Sequence, residues 1–258
     1  MNITLIGSGN LATNLGLALI GAGHTILEIY SRTLTAAQTL AEKLGAAQFT
    51  NDLSALNNQS DIYIISVTDT ALASVAAAVL PGREDKLFVH TAGTLPMDTI
   101  TAPRRGVFYP LQTFSKQRQV SFQHIPLFLE TSQKTDLPLL QALAESLSDT
   151  VIQMTSDERR YLHLAAVFAS NFTNHCATLA QEILERHGIP FQVMLPLMDE
   201  TIAKLHRLPP VEAQTGPARR KDKNVQKSQK QLLETEYDSR MAEIYTLMSQ
   251  SIEDHDKL

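Results

Sequence analysis

The first thirty residues restrict the possible fold more tightly than anything later in the chain. Ile3, Leu5 and Ile6 form a short apolar strand, and Gly7-Ser8-Gly9-Asn10-Leu11-Ala12 follows at once. From Leu11 the apolar residues take helical spacing, with Leu11, Leu15, Ala18, Leu19 and Ala22 on one face. Gly21 and Gly23 close that helix, and residues 25–30 read as a second strand. A strand, a Gly-x-Gly-x-x-Ala turn, a helix and a strand within about 30 residues is the setting in which such glycines hold a dinucleotide. Gly7 permits the tight turn, Gly9 admits a pyrophosphate to the backbone, and Ala12 lets helix lie close on strand. Ser8, Asn10 and Leu11 complete the turn, where the helix N-terminus offers free N–H groups and partial positive charge.

The tip of the second strand selects between nucleotides. A site for NAD usually places Asp or Glu there to bond the ribose 2′-hydroxyl. This chain has Ser31, Arg32 and Thr33, and its nearest acid, Glu28, lies three residues earlier inside the strand. A guanidinium with two hydroxyls suits a 2′-phosphate, so the predicted cofactor is NADP.

The alternation then continues. Residues 35–44 read as a helix, 61–67 as a buried parallel strand, 70–80 as a helix capped by Thr68-Asp69, and 86–89 as a strand ending at His90-Thr91. Further strands are expected at 107–111, 125–130 and 150–154, with a helix over 135–147. This is an α/β pattern, a doubly wound Rossmann-type parallel sheet. Its ligands sit beyond the carboxyl ends of the strands, where Val67, Thr68, Asp69 and Thr91 fall. Beyond Thr155 strand signals cease. The predicted organisation is a nucleotide-binding domain over residues 1–154 and an all-helical C-terminal domain over 155–258, serving substrate binding and dimerisation.

Thr155 and Glu158 form a capping box, and Gly188 with Pro190 is the matching stop. Between them more than 30 residues lack Gly and Pro, about 48 Å of helix at 1.5 Å per residue. Its centre, residues 164–169, is apolar on every side, so a partner subunit is expected to cover part of it and the chain to form a homodimer. His163, Ser170 and Asn174 stand at i, i+7 and i+11, within about 40° of one another on a regular helix, and Asn171 flanks them. If that stripe faces the nicotinamide, His163 is the proton donor, and Ser170 or Asn171 orients a carbonyl or imine. His90, at the end of a strand, is a rival donor. His175 and His187 have no partner at ligand spacing, and no metal is expected. Gly216-Pro217 reads as a helix start before the basic cluster of residues 219–223, which is either a solvated face or a site for an anion. A last helix is expected from about Glu234 to Glu253.

Composition supports these readings. Of 258 residues 43% are apolar, enough for a packed core, and the net charge of −5 argues against nucleic acid as the partner. The single cysteine, Cys176, cannot form an internal disulfide. With no leader-like segment and no run of 18 uninterrupted apolar residues, a soluble, cytoplasmic protein without membrane contact is expected.

Gly-Ser-Gly-Asn-Leu-Ala, Ser-Arg-Thr, His-Thr-Ala-Gly-Thr, Tyr-Pro-Leu-Gln-Thr-Phe, Ser-Asn-Phe and Thr-Gly-Pro occur here in order. In that order they resemble a family of short bacterial proteins that join a Rossmann-like domain to a helical C-terminal domain of unknown function. Its members are often labelled NADP oxidoreductases of the deazaflavin-dependent type. The family is similar in build to pyrroline-5-carboxylate reductase and to the 6-phosphogluconate dehydrogenase superfamily, which dimerise through a long helix. The resemblance implies nucleotide binding and a dimer. The Lys and Asn at i, i+4 of the 6-phosphogluconate and hydroxyacid dehydrogenases are absent, since Val167 stands four residues after His163. Ala92 also replaces a serine common in the family.

Two functions fit. One is an NADP-dependent oxidoreductase moving a hydride between the nucleotide and a small carbonyl, imine or hydroxyacid. The other is a non-catalytic protein that responds to NADP. A polar pocket holding His163 or His90 beside the nicotinamide favours the first, and an apolar closure over it the second.

Overall fold

The computed structural model describes residues 1–255. The chain forms two compact units, Met1–Asn171 and Phe172–Leu258. The first holds an eight-stranded sheet in the order β3-β2-β1-β4-β5-β6-β7-β8. Its strands are β1 (Asn2–Ile6), β2 (Thr25–Tyr30), β3 (Gln48–Thr50), β4 (Ile62–Ile65), β5 (Leu87–His90), β6 (Arg105–Pro110), β7 (Leu127–Thr131) and β8 (Val151–Gln153). Helices α1 (Asn10–Gly21), α2 (Leu34–Leu44), α3 (Asp69–Val79) and α4 (Leu137–Glu145) connect or cover them.

The core follows from two-residue periodicity. In β4, Ile62 and Ile64 point into one apolar layer, shared with Leu15 and Leu19 of α1, Leu40 of α2 and Leu140 of α4. Tyr63 and Ile65 point into the opposite layer, with Leu72 and Val79 of α3. Covered on both faces, β4 and β5 are buried at every position, as central parallel strands must be. The sheet is mostly parallel but not wholly so. β7 pairs antiparallel to β6, Gly106 opposite Thr131 and Pro110 opposite Leu127, and β8 runs parallel to β7. The doubly wound parallel sheet expected from the sequence is thus present, with one antiparallel pairing at this edge. β3 is an addition: three largely exposed residues carry too little apolar signal to read as a strand.

The reversal of β7 sends the next helix back toward the carboxyl edge of β6. α5 (Ser156–Ala166) opens with the expected capping box between Thr155 and Glu158. Ser156 Oγ donates to Glu130 Oε2 at 2.6 Å, and Arg159 Nη1 does so at 2.9 Å. One turn further on, His163 Nδ1 lies 3.0 Å from the Tyr109 hydroxyl. The first compact unit thus runs past residue 154, because α5 is anchored to the sheet.

The long helix forms over residues 156–186, but not as regular α-helix throughout. Val167–Phe172 is a π-helical segment, followed by α6 (Thr173–Arg186). Its wider i→i+5 turns break the regular stripe of His163, Ser170 and Asn174. The second unit also contains α7 (Leu195–Leu205), α8 (Pro210–Ala213), α9 (Lys223–Glu236) and α10 (Ser239–His255). Within it Leu233, Met241 and Ala242 pack with Leu179, Ile183 and Tyr245. Gly216-Pro217 does not start a helix. Residues 217–221 form turns, and Asp222 accepts the Val225 N–H at 3.2 Å to begin α9 at Lys223. The last expected helix is two helices, broken at Tyr237-Asp238, where Tyr237 takes an extended backbone. In the basic cluster Lys223 bonds Glu253 at 2.6 Å, so at least this cation ties α9 to α10. No helix among the described residues is long and apolar enough to cross a membrane.

Candidate functional site

A cleft of about 750 Å³ lies along the carboxyl edge of the sheet. Gly7, Ser8, Gly9, Asn10, Leu11, Ser31, Arg32, Thr33, Val67, Thr68, Asp69, Thr91 and His163 all line it. The two glycines of the first turn do different work. Gly7 has φ of 119°, its N–H bonds the Tyr30 carbonyl at 2.8 Å, and a Cβ there would fall on the Ser66 carbonyl oxygen. Gly9 has ordinary extended geometry (φ −75°, ψ −172°), and a Cβ would meet nothing within 4 Å. Its bareness leaves space above the backbone. No side chain caps α1 and its first turn holds no acid, so an anion meets free N–H groups there. Ala12 does not line the cleft. It is fully buried in the core beneath α1, and its small size serves packing.

At the strand tip the Ser8 and Ser31 hydroxyls lie 2.7 Å apart, tying the turn to the end of β2. Arg32 is exposed and free to reach a ligand in the cleft. Glu28 is buried and accepts from the backbone N–H and side-chain amide of Asn57 at 2.8 and 2.6 Å, so it cannot serve as a ribose acid. Asp69, the carboxylate in the cleft, accepts the Thr94 hydroxyl. A cavity of about 430 Å³ shares Ser8, Thr33 and Ala36 with the cleft and adds Lys43 and Lys116. These two lysines gave no sequence signal, being isolated in a helix and a loop.

A second cavity of about 380 Å³ shares Tyr109, Gln112 and His163 with the main cleft. Ser170 and Asn171 line this cavity rather than the cleft, beside Leu162, Ala165, Ala166, Val167 and Ala169. The structure therefore groups His163, Ser170 and Asn171 around one space. Tyr109 and Gly93 were not foreseen. Tyr109 is 8% exposed at the end of β6, and a Cβ on Gly93 would strike the His163 ring. The signal for Tyr109 was its place at a strand end on the ligand edge. Burial pushes its phenol above the ordinary range, opposed by the nearby Arg159 guanidinium.

His90 is not in the cleft, which corrects its candidacy as proton donor. The ring is fully buried; Nδ1 accepts the Ala92 N–H at 3.2 Å, and Nε2 lies 3.3 Å from the Pro96 carbonyl. Both nitrogens are committed to shaping the loop after β5. Burial first, then the Arg159 charge, lowers its pKa from 6.5 to about 4. Between those values the unfolded chain takes a proton that the native chain refuses, so stability falls as pH drops through this window. We expect His90→Gln to remove ~2–3 kcal/mol of the stability lost between pH 7 and pH 4.5. Urea unfolding of both proteins at the two pH values measures this, and equal losses would refute it.

Residues 2–93 match a family model described as NADP oxidoreductase, coenzyme F420-dependent, and residues 125–252 match a domain of unknown function, DUF2520. The putative NADP oxidoreductase BF3122 from Bacteroides fragilis is 48% identical over 98% of both chains, with a TM-score of 0.93. The chain belongs to this family, an NADP-binding Rossmann domain joined to a DUF2520 domain. Protein TM1727 from Thermotoga maritima is 22% identical over 99% of this chain and 100% of its own, at a TM-score of 0.71. An imine reductase from Myxococcus stipitatus, solved with NADP+, is 17% identical over 100% of this chain and 94% of its own, at 0.66. At those identities the likeness concerns fold alone. No curated protein matches the chain.

Proposed function

We propose that this protein is an NADP-dependent oxidoreductase acting on a small carbonyl, imine or hydroxyacid. The observation that carries the reading is the continuity of the glycine-floored cleft with a second cavity through His163 and Tyr109. NADP fits the residues present: Gly9 leaves room for the diphosphate, the uncapped start of α1 bonds it, and Ser31, Arg32 and Thr33 receive the 2′-phosphate. When bound, the reduced nucleotide supplies hydride. His163 then gives the balancing proton to the substrate heteroatom, while Ser170 or Asn171 orients the substrate in the second cavity. The second cavity is lined mostly by apolar side chains, but it brings His163, Ser170 and Asn171 together beside the cleft, which supports catalysis over the alternative, a protein that only responds to NADP.

Fluorescence titration is expected to show NADPH binding at least tenfold tighter than NADH, and Arg32→Asp is expected to reverse that order. Equal affinities in the native protein would overturn the assignment. Turnover of small ketones, imines and hydroxyacids with NADPH or NADP, lost in His163→Ala, separates catalysis from sensing. We also propose a homodimer through the helical half, supported by Tyr161, Leu164 and Phe168, which are 65%, 55% and 64% exposed in the single chain. Light scattering at low micromolar concentration should give about twice the chain mass of 28.5 kDa, and the mass of one chain would refute it.

A further inference from the structure

We infer that Tyr109 is a positioning residue that fixes the tautomer of His163, holding the imidazole proton on Nε2. This rests on the reading of His163 as the proton donor and concerns its neutral ring, whose Nε2–H hydrogen-bonds and orients the substrate heteroatom ahead of the proton transfer. An imidazole can present a proton to a substrate only from the nitrogen that carries it, and the hydrogen bond at the other nitrogen decides which one that is.

The phenol lies 3.0 Å from Nδ1. Two arrangements are open to the pair, and counting donors and acceptors separates them. If Nδ1 carried the proton and gave it to the phenol oxygen, the phenol O–H would need an acceptor of its own. Among the described residues it has none, so the phenol O–H would be left to the open cleft while the imidazole N–H is spent on Tyr109 instead of a substrate. If the phenol donates to Nδ1, its O–H is satisfied and the imidazole proton moves to Nε2. Nε2 has no hydrogen-bond partner among the described residues, and His163 lines both the cleft and the second cavity. The second arrangement leaves the single open donor where a substrate arrives.

Packing holds the pair together. Tyr109 lies against Phe128 with ring centroids 6.3 Å apart and meets the His163 ring edge-on at 6.1 Å and 62°. Gly93 lies against both, since even a methyl group there would fall on Nδ1 and Cγ of His163 and come to 3.0 Å from Cζ of Tyr109. The absent side chain at position 93 is thus what lets the strand end and the helix bring these two groups together.

The test is the two-bond proton–nitrogen spectrum of the full chain labelled with 15N-histidine, recorded above the titration range of imidazole. His163 is identified by the signals missing in His163→Gln. The expected result is a protonated Nε2 and an Nδ1 shifted as a hydrogen-bond acceptor. In Tyr109→Phe the Nδ1 signal should move to its unbonded position, or both tautomers should appear. A native protein protonated on Nδ1 would overturn the inference without any variant, and so would a His163 pattern unchanged by Tyr109→Phe in a chain that retains the native amide spectrum. NADPH titrated into the same samples keeps the two ideas apart. Failure to bind sinks the nucleotide assignment and leaves the tautomer result standing, whereas a wrong tautomer leaves nucleotide binding untouched.

Discussion

Arg159→Ala is expected to destabilise the protein by about 3–5 kcal/mol, the usual consequence of removing one member of a buried ion pair. At this chain length that lowers Tm by roughly 10 °C. The guanidinium is 1% exposed; it bonds Glu130 at 2.9 Å and the Leu95 carbonyl at 2.6 Å. Truncation strands the Glu130 carboxylate beside an empty space and frees the loop that carries Thr91 and Gly93. The pair is not a simple source of stability, because Arg159 Nε has no hydrogen-bond partner among the described residues. Replacing both members with neutral groups of similar size, as in Arg159→Met with Glu130→Gln, should therefore recover most of the loss. Calorimetry of the two single variants and the double variant checks this, and a double variant as unstable as the sum of the singles would contradict it.

Gly7→Ala and Gly9→Ala are expected to behave oppositely although only Ser8 separates them. At Gly7 a methyl group must displace the Ser66 carbonyl, and the backbone must hold a φ that alanine resists. The strain alone costs of order 1–3 kcal/mol, and the turn cannot survive in register. Nucleotide affinity and Tm should fall together. At Gly9 alanine adopts the existing backbone without contact, so Tm should stay within about 2 °C, while the methyl group occupies the space a diphosphate needs and lowers NADPH affinity tenfold or more. Melting curves and NADPH titrations on the two variants test the pair. A Gly9 variant that binds as well as the native protein would remove the diphosphate from that turn.

Much of this was legible in the sequence because it depends on local rules. The β1–turn–α1–β2 unit has one interpretation once its periodicity changes at Leu11, and the capping box at Thr155 depends only on residues three positions apart. The cleft residues Ser31, Arg32, Thr68, Asp69 and Thr91 followed, since strand ends in a parallel sheet share an edge. What stayed hidden depends on contacts distant in sequence. Tyr109 meets His163 across 54 positions, and its role is invisible until β6 and α5 are brought together. His90 carried the same local signal as the true cleft residues, but its ring turns into the core and bonds its own loop. The π segment defeated helical phasing because apolar periodicity presumes one constant turn. Lys43 and Lys116, far apart in the chain, converge through folding alone.

The reversed strand β7 also sets where the chain tolerates a change of length. Because α5 climbs from its anchor at Glu130 toward the ligand edge, the four-residue interval between Arg159 and His163 is a gauge. One residue inserted there would advance the imidazole by about 1.5 Å and swing it by about 100°, away from Tyr109. The same insertion in the turn before α9 would pass without effect on that aim. Lineages of this protein should accordingly vary freely in size beyond the sheet-bearing unit while holding the count of that short interval constant.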